Sequence, residues 1–117
     1  MSVKFSKYGY WLRRSDQGVR VGLTPQHVAQ LGSVVFAEPP PVGKTVRRGD
    51  AHGILETTKA VTDLTMPVSG VITVVNAEIS YDPARISDDP TGFGWLFEIE
   101  PSEREELFEL LDAPVGS

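Results

Sequence analysis

Apolar and polar residues alternate with a period of two along most of the chain. They do so in short runs rich in β-branched residues, which Gly or Pro interrupts about every ten positions. This pattern predicts strands at Gly9 to Arg13, Val19 to Gly22, Val34 to Glu38, Ala51 to Thr58, Val61 to Met66, Gly70 to Val75 and Trp95 to Ile99. Turns are expected at Pro39-Pro40-Pro41 with Gly43, Arg48-Gly49-Asp50, Met66-Pro67 and Ser69-Gly70. Pro presets φ there, and Gly reaches positive φ without a Cβ clash. Three helical pieces break the alternation. Thr24 is placed to cap Pro25 to Leu31, with Pro where its missing N–H costs nothing and Gly32 as the stop. Asp82-Pro83 opens about a turn of helix through Ile86. Ser102 and Glu105 suggest a capping box for a C-terminal helix, Glu103 to Asp112, with Leu107, Phe108, Leu110 and Leu111 as its apolar stripe.

The expected class is therefore mainly β, with short peripheral helices and a C-terminal helix. A weak internal echo refines this. Val46-Arg47-Arg48-Gly49-Asp50 leads into the strand before Lys59, and Pro67-Val68-Ser69-Gly70 leads into the one after the return strand. Two similar strand-turn units around a tight hairpin at Thr58-Lys59-Ala60-Val61 would form a flattened barrel with pseudo-two-fold symmetry. Lys59 would sit at an exposed corner, since a lysine ammonium inside the barrel would be costly. The 117 residues suit one domain, with a frayed tail over 113–117.

Composition narrows the chemistry. No apolar run approaches the roughly 18 residues of a membrane span. The basic start, Met1 to Tyr8, is not followed by the apolar stretch of a secretory signal. The expectation is a soluble, monomeric protein of the cytoplasm. With no cysteine, a disulfide framework, a thiolate metal site and a Cys nucleophile are excluded, and any thiol chemistry must come from a prosthetic group. The net charge is -5, and residues 78–112 hold eleven acids against Arg85 and Arg104. Nucleic-acid binding is disfavoured. His27 and His52 lack the number and spacing for a metal or a general base, Ser69 has no evident triad partners, and Lys44, Arg47 and Arg48 read as a solvated basic patch.

The segment from Ala51 to Leu64, with Glu56-Thr57-Thr58-Lys59-Ala60-Val61-Thr62-Asp63 at its centre, resembles a lipoyl-attachment hairpin. Around it stand Val21-Gly22-Leu23-Thr24, Leu31-Gly32, Val34-Val35-Phe36, Pro67-Val68-Ser69-Gly70, Val74-Val75-Asn76 and Asp89-Pro90-Thr91-Gly92-Phe93-Gly94-Trp95-Leu96. In order and spacing these resemble the glycine cleavage system H protein over residues 5–112. The resemblance implies a barrel-sandwich hybrid carrying lipoate in amide linkage on Lys59. It also implies a non-catalytic shuttle of an aminomethyl group among glycine decarboxylase, aminomethyltransferase and dihydrolipoyl dehydrogenase. Glu56 and Asp63 match acids that lipoate-attaching enzymes read in the family. Biotin carriers use a similar hairpin but flank the lysine with methionines, where Thr58 and Ala60 stand here.

The sequence also leaves the family pattern in places. Two acids and a histidine usually precede the tryptophan, where this chain has Lys7-Tyr8-Gly9-Tyr10-Trp11. Thr57-Thr58 replaces Ser-Val before the lysine, Asp82 replaces an Asn, and Phe93 replaces an acid between glycines, altering the surface near the arm. Trp95 and Phe97 are expected to pack inward. These departures leave two alternatives open. One is an H-like lipoate-binding protein carrying sulfur intermediates in a heterodisulfide-reductase-like oxidation pathway; the other is an unmodified H-like interaction module.

Overall fold

The computed structural model describes residues 2–16 and 18–115. Among these residues nine strands run in chain order: β1 (Lys4–Phe5), β2 (Tyr10–Ser15), β3 (Gly18–Leu23), β4 (Val34–Glu38), β5 (Thr45–Val46), β6 (Ala51–Thr57), β7 (Val61–Thr65), β8 (Gly70–Val75) and β9 (Phe97–Pro101). Four helices join them: α1 (Pro25–Leu31), α2 (Glu78–Tyr81), α3 (Ala84–Asp88) and α4 (Arg104–Phe108). The strands form a six-stranded sheet, β1-β2-β3-β9-β8-β5, and a three-stranded sheet, β4-β6-β7. All pairings are antiparallel.

Alternation along the strands turns one set of side chains into a shared core. Leu12, Val21, Ile72, Phe97 and Ile99 come from the larger sheet, and Val34, Ala37, Leu55 and Leu64 from the smaller. Each Val, Leu, Ile or Phe side chain among them withdrawn from water contributes about 1.5–3 kcal/mol. Val28, Ile79 and Ile86 extend this core from α1, α2 and α3. The two turns of the internal echo meet each other: the Arg48 amide donates to Ser69 Oγ (2.9 Å), and Val46 pairs with Gly70.

Helix α1 forms where the sequence predicts it. Thr24 Oγ1 accepts from the His27 amide (3.1 Å), Pro25 opens the first turn, and Gly32 ends it at φ 89°, a conformation L side chains rarely adopt. Strands β4 and β8 also keep their predicted bounds. Elsewhere the structure corrects the expectation. The last strand begins at Phe97, two residues late, because Trp95 lies in the turn that Gly92 and Gly94 open; its ring is stacked 4.1 Å beneath the Arg20 guanidinium and is not fully buried. Phe97 does pack inward.

Helix α4 is half the expected length, and the capping box does not form: Glu103 occupies the cap position without a side-chain bond. The Ser102 amide is drawn to the Ser69 carbonyl instead (3.0 Å). Leu107 and Leu110 touch the core, Phe108 is 81% exposed, and Leu111 exchanges two backbone hydrogen bonds with Phe5. Of the expected tail, Gly116 and Ser117 lie outside the described residues. No helix is long and apolar enough to cross a membrane.

Candidate functional site

Strands β6 and β7 form a hairpin whose pairing runs Ile54↔Asp63, Leu55↔Thr62 and Glu56↔Val61. Leu55 and Leu64 point into the core, so Glu56, Val61 and Asp63 point out. The turn is Thr57-Thr58-Lys59-Ala60, closed by the Thr57 amide donating to the Ala60 carbonyl (2.8 Å). Short hairpin turns usually need Gly or Asn at positive φ. Among the described residues no non-glycine has positive φ, and this turn is held by a side chain instead. Thr57 Oγ1 accepts from the amides of Lys59 and Ala60, each at 3.2 Å, and donates to the Ala60 carbonyl at 3.3 Å. A serine would supply the same hydroxyl, so the change from the family's Ser to Thr57 preserves the turn.

A second tie holds the tip from the side. The Thr58 amide donates to the Ser33 carbonyl (3.0 Å), joining the hairpin to the segment between α1 and β4. Next to Ser33, the Lys59 stem lies near Gly32: a Cβ built on Gly32 would be 3.5 Å from Lys59 Cδ and 3.6 Å from Cε, an ordinary contact distance. Lys59 itself is exposed, and its Nζ has no hydrogen-bond or ion-pair partner among the described residues.

Glu56 and Asp63 share the outer face of the hairpin, on adjacent strands and diagonal to each other. The structure brings them together but pairs neither with Lys59. A feature hidden in the sequence sits beside them. Strand β4 carries a bulge between Val34 and Phe36, so Val34 and Ala37 both point inward while Phe36 turns out, opposite Glu56. Simple alternation would have buried Phe36 with Val34. Phe36 is 43% exposed and Val61 64%.

The N-terminal departures have a structural counterpart. The His27 ring fills the space beside Gly9, where a Cβ would come within 2.1 Å of Nδ1, and Nδ1 lies 3.2 Å from the Gly9 carbonyl. Tyr10 is buried, and burial pushes its phenol well above the usual tyrosine range, partly offset by a backbone hydrogen bond from Thr65. Phe93 is exposed beneath the Arg85 guanidinium, 5.9 Å from its ring centroid.

The other residues singled out by sequence serve the fold. Ser69 Oγ donates to Glu106 (2.9 Å), Arg48 pairs with Glu109 (2.9 Å), and His52 lies 3.7 Å from Asp50. Among the described residues no group of three or more His, Asp or Glu could hold a metal ion. Hollows of about 390 Å³ around Tyr8 and Arg48 and about 350 Å³ around Arg13 and Arg20 lie elsewhere, and Lys59 lines neither.

A glycine cleavage H-protein family model matches residues 3–115. The chain belongs to this family. The glycine cleavage system H protein of Anaeromyxobacter sp. (strain K) is 40% identical over 111 residues, which cover 95% of this chain and 87% of that protein. That of Corynebacterium aurimucosum is 51% identical over 89 residues, covering 76% of this chain and 68% of its own length. The crystal structure of a glycine cleavage system H protein from Mycobacterium marinum superposes with a TM-score of 0.80 at 38% identity, covering 95% of this chain and 90% of that one. The expected mainly β architecture with short helices is therefore shared with that structure, as two sheets that do not close into a barrel. Membership also favours glycine cleavage over the sulfur-oxidation alternative, because these relatives all carry the glycine cleavage name.

Proposed function

We propose that this chain is the lipoyl carrier of a glycine cleavage system, with lipoate held in amide linkage on Lys59. The observation that carries the reading is an exposed lysine, unpartnered at Nζ among the described residues, on a turn clamped from two directions. The residues present fit such a group. Among the described residues no ion pair must break to free the ε-amine, and the hydrocarbon stem passes close to Gly32. Bound there, lipoate supplies the disulfide and dithiol pair that a chain without cysteine lacks.

The protein's own part is to position and present. Thr57 fixes the backbone of Lys59, and the Thr58 tie to Ser33 stops the tip from bending away from α1. A long tether on a fixed base gives each partner active site a high effective concentration of the carried group. The proposed partners are glycine decarboxylase, aminomethyltransferase and dihydrolipoyl dehydrogenase, with the chain acting as a cytoplasmic monomer that performs no catalysis alone. Glu56 and Asp63 are the proposed recognition residues for lipoate-attaching enzymes.

Intact-mass measurement after incubation with a lipoate ligase, lipoate and ATP tests the attachment. One lipoyl increment is expected in the wild type and none in Lys59→Arg; an unmodified wild type would overturn the reading. The loaded protein is then expected to support glycine decarboxylation with the partner enzymes. Loading without that support would sink the pathway assignment.

A further inference from the structure

The outer face of the six-stranded sheet holds a hollow that the lysine hairpin does not use. Leu12, Val21, Phe97 and Ile99 belong to the core, so their neighbours Arg13, Arg20 and Glu98 point outward. Register sets these three in one transverse row. Arg13 is paired with Arg20 across β2 and β3, and Arg20 with Glu98 across β3 and β9. The hollow of about 350 Å³ opens over that row, with Arg14, Ser15 and Asp16 at the end where β2 turns toward β3.

Like charges directly across a strand pair repel, yet this row sets Arg13 against Arg20. Each guanidinium is held in place by other groups. That of Arg20 lies 4.1 Å from the Trp95 ring centroid and meets Glu98 Oε2 through Nε (2.9 Å) and Nη2 (2.8 Å). Glu98 is buried, and its Oε1 accepts from Ser15 Oγ (3.0 Å). The Arg13 guanidinium lies 4.8 Å from the Trp11 ring centroid, and that ring is fixed in turn by its bond to the Pro90 carbonyl. Two indole rings thus orient two neighbouring cations. Arg13 and Arg14 have no carboxylate partner among the described residues. The lining sets three guanidiniums against two carboxylates, and one of those, Glu98, is already taken by Arg20.

We propose that this hollow binds the phosphate group of a small soluble ester, held by Arg13 and Arg14 and seated against Arg20. An oxyanion between the Arg13 and Arg20 forks relieves their repulsion. A carboxylate has two oxygens in one plane and satisfies one fork, whereas a phosphate group presents three and can meet two forks at once. Because the indole rings orient the forks beforehand, little rotamer freedom is lost on binding. The volume lies at the small end of ligand sites, which run from roughly 300 to 1,000 Å³, and so suits one small ester. Lys59 does not line the hollow, so its occupancy leaves the lysine turn free, and the proposal stands apart from the lipoyl reading.

A heteronuclear NMR titration of the whole chain with glycerol phosphate at constant ionic strength tests this. It is read at the indole N–H groups of Trp11 and Trp95 and at Nε–H of Arg13 and Arg20. Saturable shifts are expected at these groups, and inorganic phosphate is expected to move the same signals. Arg13→Gln is expected to weaken binding about tenfold. Arg13→Lys, which keeps the charge and loses the fork, is expected to weaken it about threefold. Asp16→Asn is expected to bind about twofold tighter, a gain that misfolding cannot produce. Arg47→Gln removes the same charge from the turn before β6 and is expected to bind as the wild type. Shifts that do not saturate, or that persist unchanged in Arg13→Gln, overturn the proposal. Equal weakening by Arg47→Gln also overturns it, because the anion would then be drawn by overall charge alone. Vesicles containing phosphatidylglycerol are expected to leave the signals in place; a response to vesicles with none to glycerol phosphate counts against a soluble ester.

Discussion

Thr57 Oγ1 lies 3.2 Å from the amide nitrogen of Lys59, so one hydroxyl closes the turn that presents the lysine. Replacing Thr57 with Val keeps the shape and removes the hydroxyl, leaving two amides at the tip without their acceptor. We expect a loss of about 1 kcal/mol, or roughly 4 °C in melting temperature. Thr57→Ser should behave nearly as the wild type. Amide hydrogen exchange at Lys59 and Ala60 is the sensitive measurement. Unchanged protection in Thr57→Val would mean that the sheet pairing alone defines the turn.

Trp11 sets a second expectation. Its ring lies across Gly22, where an added Cβ would meet Cζ2 at 2.4 Å, while its Nε1 donates to the Pro90 carbonyl at 2.9 Å. Gly22→Ala must lift the ring and lose that bond, at a cost of about 1–3 kcal/mol. Urea unfolding should show the loss, accompanied by a red shift in tryptophan fluorescence. A shift without a change in stability would place the strain somewhere other than this contact.

Glu106 gives a third test, at the end of the molecule far from the hairpin. Its carboxylate accepts from the Ser69 amide (2.6 Å) and Ser69 Oγ (2.9 Å), fastening α4 to the turn before β8. Glu106→Ala is expected to cost about 1.5–3 kcal/mol, as for hydrogen bonds to a charged group. Limited proteolysis should then cut first within residues 102–115. Lipoylation at Lys59 should continue at the wild-type rate in whatever fraction remains folded.

Tyr10 makes the stability sensitive to alkali. Burial raises the pKa of its phenol in the folded chain, whereas the exposed phenol of the unfolded chain ionises near pH 10. Above that pH the unfolded chain binds fewer protons than the folded one, so stability falls as pH rises. The contribution is complete below about pH 10 and is lost progressively toward the folded value. Denaturant midpoints measured between pH 8 and about 11 should drop for the wild type. The drop should be shallower in Tyr10→Phe, whatever that change costs at neutral pH.

The sequence carried the strand pattern, the hairpin and the lysine because all three rest on local rules. Thr24, Pro25 and Gly32 announce α1 without tertiary help, and its observed bounds agree. The two-residue strands β1 and β5 and the four-residue α2 went unpredicted because they are too short to show a period and exist through their partners. Helix α4 is shorter than its apolar stripe suggests, because Phe108 faces water and Leu111 is claimed by Phe5. Alternation places Trp95 in the last strand, but Arg20 offers its ring a cationic partner outside the core. At the hairpin, Glu56 and Asp63 stand out through the resemblance, and strand alternation alone puts them on the outer face. Phe36 does not follow from alternation, since a single bulged residue in β4 turns it outward.

The tie from Thr58 to Ser33 also fixes a boundary on motion. With the base of the lysine clamped to both a hairpin and a helix–strand junction, the backbone contributes no hinge. Anything grafted onto Nζ searches space through its own rotatable bonds, and the body of the protein closes off the space beneath the turn. What remains is a dome over one corner of the molecule, with its radius set by the graft and its centre by the turn. On the proposed reading, enzymes that share this carrier would have to take turns beneath the same dome.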